Sequence, residues 1–262
     1  MAIVSIKDLL EAGVHYGHRT SRWNPKMAPY IFGKRNAIHI IDLRETVRGL
    51  VTAARFLRQV RARGESVLLV GTKRQAMGAI HAEAERLDLP YVTNRWLGGT
   101  LTNFTTIRQR LRRLEEIEGM EESGQIQYLS KKMIASLQRE KRKILNNLEG
   151  VRNMNRLPGA VVVLDPRREH NAVHEANLLD IPIVALLDTD ADPDLIDIAI
   201  PGNDDALRSI QLIIRVLGNA IEEGFTMAGA AAKAREEATP PPPPSAAPKP
   251  PEPEAPAEAA AQ

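Results

Sequence analysis

Basic and aromatic side chains alternate in segment 13–27, which reads GVHYGHRTSRWNPKM. Aromatic residues make up only 4% of the chain, so Tyr16 and Trp23 are unusual in so cationic a stretch. Arg and Lys pair with phosphates, whereas aromatic rings stack on bases or ribose that RNA leaves exposed. The segment therefore predicts a nucleic-acid contact, and the alternative is that the rings pack into the core. The candidate contacts are Arg19, Arg22, Trp23 and Lys26.

Segment 94–103, which reads NRWLGGTLTN, repeats this combination of basic, aromatic and polar residues. Its two glycines allow the backbone to approach a surface closely, and its polar side chains supply hydrogen-bond donors. We therefore add Arg95 and Asn103 to the candidate RNA contacts.

Segment 71–74, Gly-Thr-Lys-Arg, follows an apolar run and opens a helical pattern, which is the usual place of a backbone anion site. The P-loop spacing and the GxGxxG pattern are both absent. Lys73 and Arg74 are therefore candidates for holding a phosphate of a nucleic-acid backbone. Two alternatives stay open at this point: a tight turn with solvated bases, or a nucleotide-binding site at Gly71–Arg74.

Carboxylates cluster after two of the apolar runs. Segment 188–192 imitates the start of an EF-hand loop, but Pro193 stands where glycine is needed and Ala199 where glutamate is needed, which excludes a calcium loop. A looser site for a divalent metal stays open, because histidine and carboxylates are common ligands. Helix capping and solvated carboxylates explain the same residues without a metal. The candidate ligands are His18, Asp188, Asp204 and Asp205.

No complete catalytic motif occurs in the sequence. The lack of cysteine excludes thiol catalysis, disulfides and Cys-based metal sites, and no G-x-S-x-G elbow is present. His170 and His174 are four residues apart, but no HExxH motif surrounds them. We therefore predict that the protein is not an enzyme and requires no cofactor.

Segment 101–156 carries apolar residues three and four positions apart on both sides of a polar loop at 119–124. This spacing predicts two antiparallel helices with a coiled-coil seam, projecting as an arm. The faces outside the seam are cationic, which suits docking on a polyanion. The candidate RNA contacts in the arm are Arg108, Arg112, Arg113, Lys131, Arg139 and Arg142.

The remaining patterns describe the body that carries these segments. Ser5 and Asp8 form a capping-box pattern that opens a short helix, and residues 30–41 predict a β-hairpin with its turn at 33–36. Apolar runs at 67–70, 90–92, 160–164, 183–187 and 198–200 alternate with helical patterns, including those at 73–87, 168–179 and 204–222. Because continuous apolar runs suit strands covered on both faces, we predict a parallel α/β sheet flanked by helices.

These patterns divide the chain into three parts. Residues 1–100 and 157–230 form a discontinuous α/β domain, and residues 101–156 form the inserted arm. The tail, 231–262, holds 10 of the 18 prolines among Ala, Glu and Lys, so we predict that it is disordered.

The formal net charge of +2 conceals a strong asymmetry, because residues 1–156 carry +13 and the remainder carries −11. The basic part suits a nucleic acid, and the acidic part would repel one. The chain lacks an apolar run of roughly 20 residues and a secretory leader, which predicts a cytoplasmic protein with no membrane partner.

Several of these stretches together resemble bacterial small-subunit ribosomal protein number two. The likeness runs from about residue 3 to residue 226. It is carried by GVHYGHRTSRWNPKM, VGTKRQA, NRWLGGTLTN, LPGAVVVLDPRREHNAVHEANLLDIPIVALLDTDADPD and IPGNDDA.

The resemblance implies a flavodoxin-like α/β domain with an inserted coiled-coil arm. It implies a ribosome-associated structural protein that binds small-subunit ribosomal RNA through the basic loop and the arm. It also implies neighbouring small-subunit proteins as partners, including the large mRNA-binding ribosomal protein number one. Finally, it implies that a divalent metal binds near the acidic end of the domain, at His18 and Asp188 with Asp204 or Asp205.

Overall fold

The body of the protein is built on a parallel five-stranded sheet. A computed structural model describes residues 4–238, with side chains described for 4–229. The sheet order is β5–β4–β6–β7–β8. When these five strands alone are numbered along the chain, the order is 2-1-3-4-5, which is that of a flavodoxin-like fold. This confirms the predicted fold class. The strands are β4 (Val67–Val70), β5 (Tyr91–Val92), β6 (Ala160–Leu164), β7 (Ile183–Leu187) and β8 (Ile198–Pro201).

Helices cover both faces of this sheet, so alternate residues of each central strand enter different cores. One core joins Leu69 and Leu186 to Leu57 and Ile213, and the other joins Leu68 to Trp96. The first core is covered by α2 (Leu43–Ala62), α3 (Arg74–Leu87) and α7 (Leu207–Ala238). The second is covered by α6 (His170–Leu178) and the base of α4 (Phe104–Glu122) and α5 (Lys131–Leu148). Because β4, β6 and β7 are buried along their whole length, their sequences are continuous apolar runs.

A small antiparallel sheet precedes the body. Its order is β1–β3–β2, and its strands are β1 (Tyr16–Arg19), β2 (Ile31–Arg35) and β3 (Ile38–Ile41). The predicted hairpin is confirmed, but the turn lies at Asn36 and Ala37, which both have positive φ, rather than at 33–36. A two-residue turn of this kind matches the twist of the flanking strands. The first helix, α1 (Ile6–Glu11), has the predicted capping box at Ser5.

The inserted segment forms a helical hairpin from α4 and α5, joined by a short 3₁₀ turn at Gln125–Tyr128. Ion pairs join α4 to the returning chain in antiparallel order: Lys141 of α5 lies 2.5 Å from Glu121, and Arg152, which follows α5, lies 2.7 Å from Glu118. The coiled-coil geometry itself stays a prediction. The side chains that the two helices bury are Ile107, Leu111, Leu114, Ile117, Ile144 and Leu148.

The last helix is longer than the sequence pattern at 204–222 predicts, because α7 continues to Ala238. The predicted start of the tail, residue 231, therefore falls inside a helix. The rest of the predicted disordered segment, 239–262, lies outside the described residues. Within residues 4–238, no helix combines the length and the apolar character that a membrane crossing requires.

Candidate nucleic-acid interface

The segment 13–27 is part strand and part loop, and the structure separates its candidate contacts. Arg19 and Arg22 are exposed, and no carboxylate of the described residues pairs with either. Trp23 is 38% exposed and packs on the buried His39 ring at 5.1 Å between centroids, so the ring is partly available for stacking. Lys26 instead lies 2.8 Å from Asp192 and 2.5 Å from Asp194, and these carboxylates raise its pKa.

The loop 94–103 is held from beneath by one buried carboxylate, that of Glu175 on α6. Glu175 Oε1 accepts hydrogen bonds from Trp96 Nε1 (2.9 Å) and the Gly99 amide (2.8 Å). Glu175 Oε2 accepts from the amides of Leu101 (3.0 Å) and Thr102 (3.1 Å) and from the Thr102 hydroxyl. These loop amides therefore point inward, away from any bound phosphate.

The two candidate contacts of this loop, Arg95 and Asn103, are both exposed. The expected donors at Thr100 and Thr102 are used inside the protein, because Thr100 Oγ1 donates to the Leu97 carbonyl and Thr102 Oγ1 to Glu175. Sequence reasoning missed Glu175. Its only sequence signal is an acidic residue between Ala172, Val173 and Ala176 on the apolar face of a helix.

Contacts within the protein occupy the first two residues of the turn at 71–74. A Cβ on Gly71 would come within 2.6 Å of Ile80 Cδ1, so glycine is needed here for packing. The next residue is also occupied, since the buried Glu169 carboxylate accepts from the Thr72 amide (2.9 Å) and hydroxyl (2.5 Å). This arrangement argues against a nucleotide-binding site at Gly71–Arg74.

The two basic residues of that turn have different surroundings. Arg74 is exposed in the first turn of α3. Lys73 Nζ lies 2.8 Å from Asp204, 2.6 Å from Asp205 and 3.3 Å from Asp165, and only 13% of its side chain is exposed. Lys73 therefore lies in an acidic cluster, which sequence spacing could not show.

The candidate metal ligands do converge at the carboxyl edge of the sheet. One ligand atom each from His18, Asp188 and Asp204 lies within 4.8 Å of the others. His18 Nδ1 is 2.9 Å from Asp188 Oδ2, although it is poorly aligned for a hydrogen bond, so the contact is mainly ionic. The His18 amide donates to Asp188 Oδ1 (3.1 Å), which joins β1 to the end of β7. Asp205 lies at the rim, with its Oδ2 3.6 Å from His18 Nε2.

The pKa values of the groups in this cluster are shifted by burial and by the neighbouring charges. The adjacent Asp188 carboxylate raises the pKa of His18 to about 9, against the effect of burial. Burial raises the pKa of Asp204, and the nearby carboxylates of Asp165 and Asp188 raise it further. Burial alone would lower the pKa of Lys73, but the surrounding carboxylates outweigh this effect and raise it. The cluster thus contains its own cations, one ammonium and one imidazolium.

The arm candidates also divide into two groups. Arg108 donates to the Met154 carbonyl (3.1 Å) and to Asn155 Oδ1 (2.5 Å), so it ties the arm to its own base. Arg113 lies 2.9 Å from Glu116 and 3.7 Å from Glu140. The other four are exposed and have no ion pair within the described part of the chain: Arg112, Lys131, Arg139 and Arg142.

An open cleft lies where the second arm helix meets the loop 94–103. Its volume is about 560 Å³, and its lining contains no carboxylate among the described residues. The Asn94 amide donates to the Asn146 carbonyl across it, which fixes the loop against the arm. We call this feature the basic cleft. Its lining consists of Asn94, Arg139, Arg142, Lys143, Asn146 and Asn147.

These features define a class: an α/β protein of flavodoxin-like topology, with a cationic arm and loops and no complete catalytic or nucleotide-binding motif. Comparison with known proteins then gives the family. The family model described as "Ribosomal protein S2" matches residues 9–224. The chain is 55% identical over 237 residues to "Small ribosomal subunit protein uS2" of Rhodopirellula baltica, covering 90% of this chain and 91% of that protein.

The chain belongs to the ribosomal protein S2 family. It is a structural constituent of the small ribosomal subunit, associated with ribosomes in the cytoplasm. Membership confirms the predicted family and the prediction that the protein is not an enzyme.

Proposed function

We propose that the protein binds small-subunit ribosomal RNA through the basic cleft and the exposed side of the arm. The observation that supports this is the composition of the cleft, where three cations and three asparagines meet without a carboxylate among the described residues. Such a lining attracts phosphates, and the exposed Asn146 side chain can add a hydrogen bond to a phosphate or ribose oxygen. Arg112 and Lys131 extend the cationic surface along the arm.

The loops of the body supply the second part of the proposed interface. Arg19, Arg22, Arg74 and Arg95 are exposed guanidinium groups, and each can form paired hydrogen bonds with a phosphate. The partly exposed Trp23 ring offers a stacking surface, and the exposed Asn103 offers an amide.

Four predicted contacts have a different role in this proposal. Lys26, Lys73, Arg108 and Arg113 bond to acceptors of the protein itself, so their charges are already balanced or directed inward. They shape the surface that binds RNA and do not contact phosphates directly.

Protein partners are part of the same proposal. We infer contacts with neighbouring small-subunit proteins, including the large mRNA-binding ribosomal protein number one. The small sheet supports a protein contact, because Phe32 is 76% exposed and Tyr16 is 50% exposed on strands of this sheet. Exposed aromatic rings are typical anchors of protein interfaces.

We also propose that the acidic cluster can take a divalent metal. The donor types suit such an ion, because His18 offers an imidazole nitrogen and Asp188 and Asp204 offer carboxylates. When bound, the metal would replace positive charge that Lys73 and protonated His18 supply in this structure. Binding would therefore release the His18 proton and weaken with falling pH.

The RNA proposal is tested with the full-length variant Arg139→Gln/Arg142→Gln. We expect weaker binding to small-subunit RNA particles that lack this protein, and a salt dependence whose log–log slope falls by about 1.5 for two lost phosphate contacts. The control, Lys7→Gln/Lys34→Gln, removes the same charge from exposed positions outside the arm and the basic cleft. If the two variants bind with the same affinity and the same slope, the basic cleft does not bind RNA. Thermal unfolding of each variant checks that the fold is retained.

A further inference from the structure

The polar face of α2 is strongly basic, and it is not part of the RNA interface proposed above for the arm and the loops. Positions 50, 53, 57 and 60 of this helix are buried against the sheet. At 100° per residue, the opposite side of the helix carries three exposed arginines, and a fourth follows at the end of the helix. They are Arg44, Arg48, Arg55 and Arg63.

The neighbouring helix α7 adds to this surface. The two helices pack along each other, with Arg58 bonded to Glu223 at 2.5 Å and Gly224 against the Arg58 backbone. The outward side of α7 carries the exposed Arg208 and Arg215. Both come from the part of the chain whose net charge is negative, and the fold brings them onto a helix that packs along α2.

The carboxylates described on these two helices are already paired. Glu45 bonds to Arg48 at 2.5 Å, Glu222 to Arg86 at 2.6 Å, and Glu223 to Arg58. Five arginines are left without an ion pair to any described residue, and we call this set the arginine face. Its members are Arg44, Arg55, Arg63, Arg208 and Arg215.

The chemistry of the arginine face favours a phosphate backbone as its partner. Segment 43–63 contains six arginines and no lysine, and the planar guanidinium matches phosphate oxygens in a paired geometry that lysine lacks. Helix α2 exposes none of its large apolar side chains. Protein interfaces are usually anchored by such apolar or aromatic groups, so α2 offers little to a protein partner, whereas α7 exposes Leu207, Phe225 and Met227.

We propose that the arginine face is a second RNA-binding surface, on the opposite side of the sheet from the arm. The proposal rests on the proposed function, since it assigns a further RNA contact to the same structural protein. Because α2 and the arm cover different faces of the sheet, the two surfaces would hold separate RNA segments, with the protein as a spacer between them.

Directed hydroxyl-radical cleavage tests the two surfaces separately. The chain has no cysteine, so Gln59→Cys on α2 and Gln138→Cys on the arm each provide a single site for a tethered iron chelate. We expect ribosomal RNA cleavage from both positions in small subunits assembled with the full-length variants. Cleavage from 138 alone would overturn this inference and leave the arm proposal intact. Cleavage from neither position would overturn both.

A binding measurement provides the second test. The variant Arg44→Gln/Arg55→Gln keeps side chains with good helix propensity, so the fold should be retained. We expect its salt slope to fall by about 1.5 relative to the parent. The same control as above, Lys7→Gln/Lys34→Gln, should leave the slope unchanged. Equal slopes for the two variants would overturn the inference, as would a Gln59→Cys variant whose thiol cross-links to protein chains only.

Discussion

The α/β body and the helical arm bury apolar residues to different extents. The body covers both faces of its sheet, and β4, β6 and β7 are buried at every position. The arm has one apolar seam, and in the described residues of α5 only Ile144 and Leu148 are buried. The arm therefore buries fewer apolar side chains than the body, most of them on α4, and ion pairs between its segments add to them. The body contributes most of the stability, and the arm enlarges the surface that a partner can contact.

Both regions contain cations bonded within the protein, such as Arg108 in the arm, and exposed cations, such as Arg19 in the body. Lys73 in the body points into a cluster of aspartates, whereas Arg139 and Arg142 in the arm are exposed to solvent. A basic residue in a sequence is therefore a weak indicator of RNA binding until its surroundings are known. The four predictions that follow test this contrast between body and arm.

Truncation of a buried side chain should give the largest difference in stability between the body and the arm. Leu186 of β7 is 1% exposed. Leu186→Ala should lower the free energy of unfolding by about 3 kcal/mol, because a cavity replaces packed atoms. The half-buried Leu137 of the arm should cost less than about 1 kcal/mol in the same substitution. Urea unfolding of the full-length variants measures both values. Equal costs would show that the arm has a core as tight as that of the body.

Lys73→Gln should destabilise the protein by about 3 kcal/mol, because it leaves the buried Asp204 beside other carboxylates without its cation. The adjacent exposed residue provides the control, since Arg74→Gln should change stability by less than about 0.5 kcal/mol. Thermal and urea unfolding test this pair. A stable Lys73→Gln protein with weakened RNA binding would instead place Lys73 on the interface.

Glu175→Gln should cost about 2 kcal/mol, because the amide nitrogen cannot accept the backbone hydrogen bonds that the carboxylate accepts. Burial acts to raise the pKa of Glu175, but the bonds from Trp96 and the loop amides outweigh it and lower the pKa. A lowered pKa stabilises the fold above the ordinary value of 4.5, and this stabilisation is lost as pH falls through the native pKa.

The difference in stability between the parent and Glu175→Gln should therefore be full near neutral pH and shrink below 4.5. Urea unfolding across this range measures it. A difference that is independent of pH would mean that the charge of Glu175 does not hold the loop.

The smallest effect should come from the ion pair that joins the arm helices. Lys141→Gln removes the contact with Glu121, and the amides around residue 141 should then exchange about twofold faster, because an ion pair open to solvent stabilises only weakly. The body should keep its protection against exchange. Lys143→Gln is the control, because Lys143 is exposed and pairs with no described carboxylate. Similar exchange rates in the two variants would show that the ion pair does not stabilise the arm.

Much of the fold was predictable because its signals are local. The five apolar runs became the five strands, and the spacing in 101–156 became two helices in the predicted places. Errors occurred at boundaries: the turn is at Asn36 and Ala37 rather than at 33–36, and α7 passes residue 231. Turn positions and helix ends depend on single backbone conformations and on packing, which hydrophobic periodicity does not encode.

The candidate RNA-binding site was predictable from the sequence in part. Exposed cations such as Arg19, Arg112 and Arg142 lie where a cationic surface was expected, but Lys26 and Lys73 do not act as free charges. Glu175 was missed because one acidic residue in a helix has no pattern of its own. Its role is visible only when α6 and the loop 94–103 are packed together.

By itself, the sequence determined the class of fold, the presence of a cationic insertion and the family, because periodicity and ordered motifs are properties of neighbouring residues. The tertiary structure decided which charges are available. An ion pair joins residues such as Lys73 and Asp204, or Arg58 and Glu223, that are far apart in the chain. It also decided that Arg44 and Arg215, from segments of opposite net charge, are exposed on two helices that pack along each other. Electrostatic interactions act through space, so only folding determines which charges are neutralised and which face a partner.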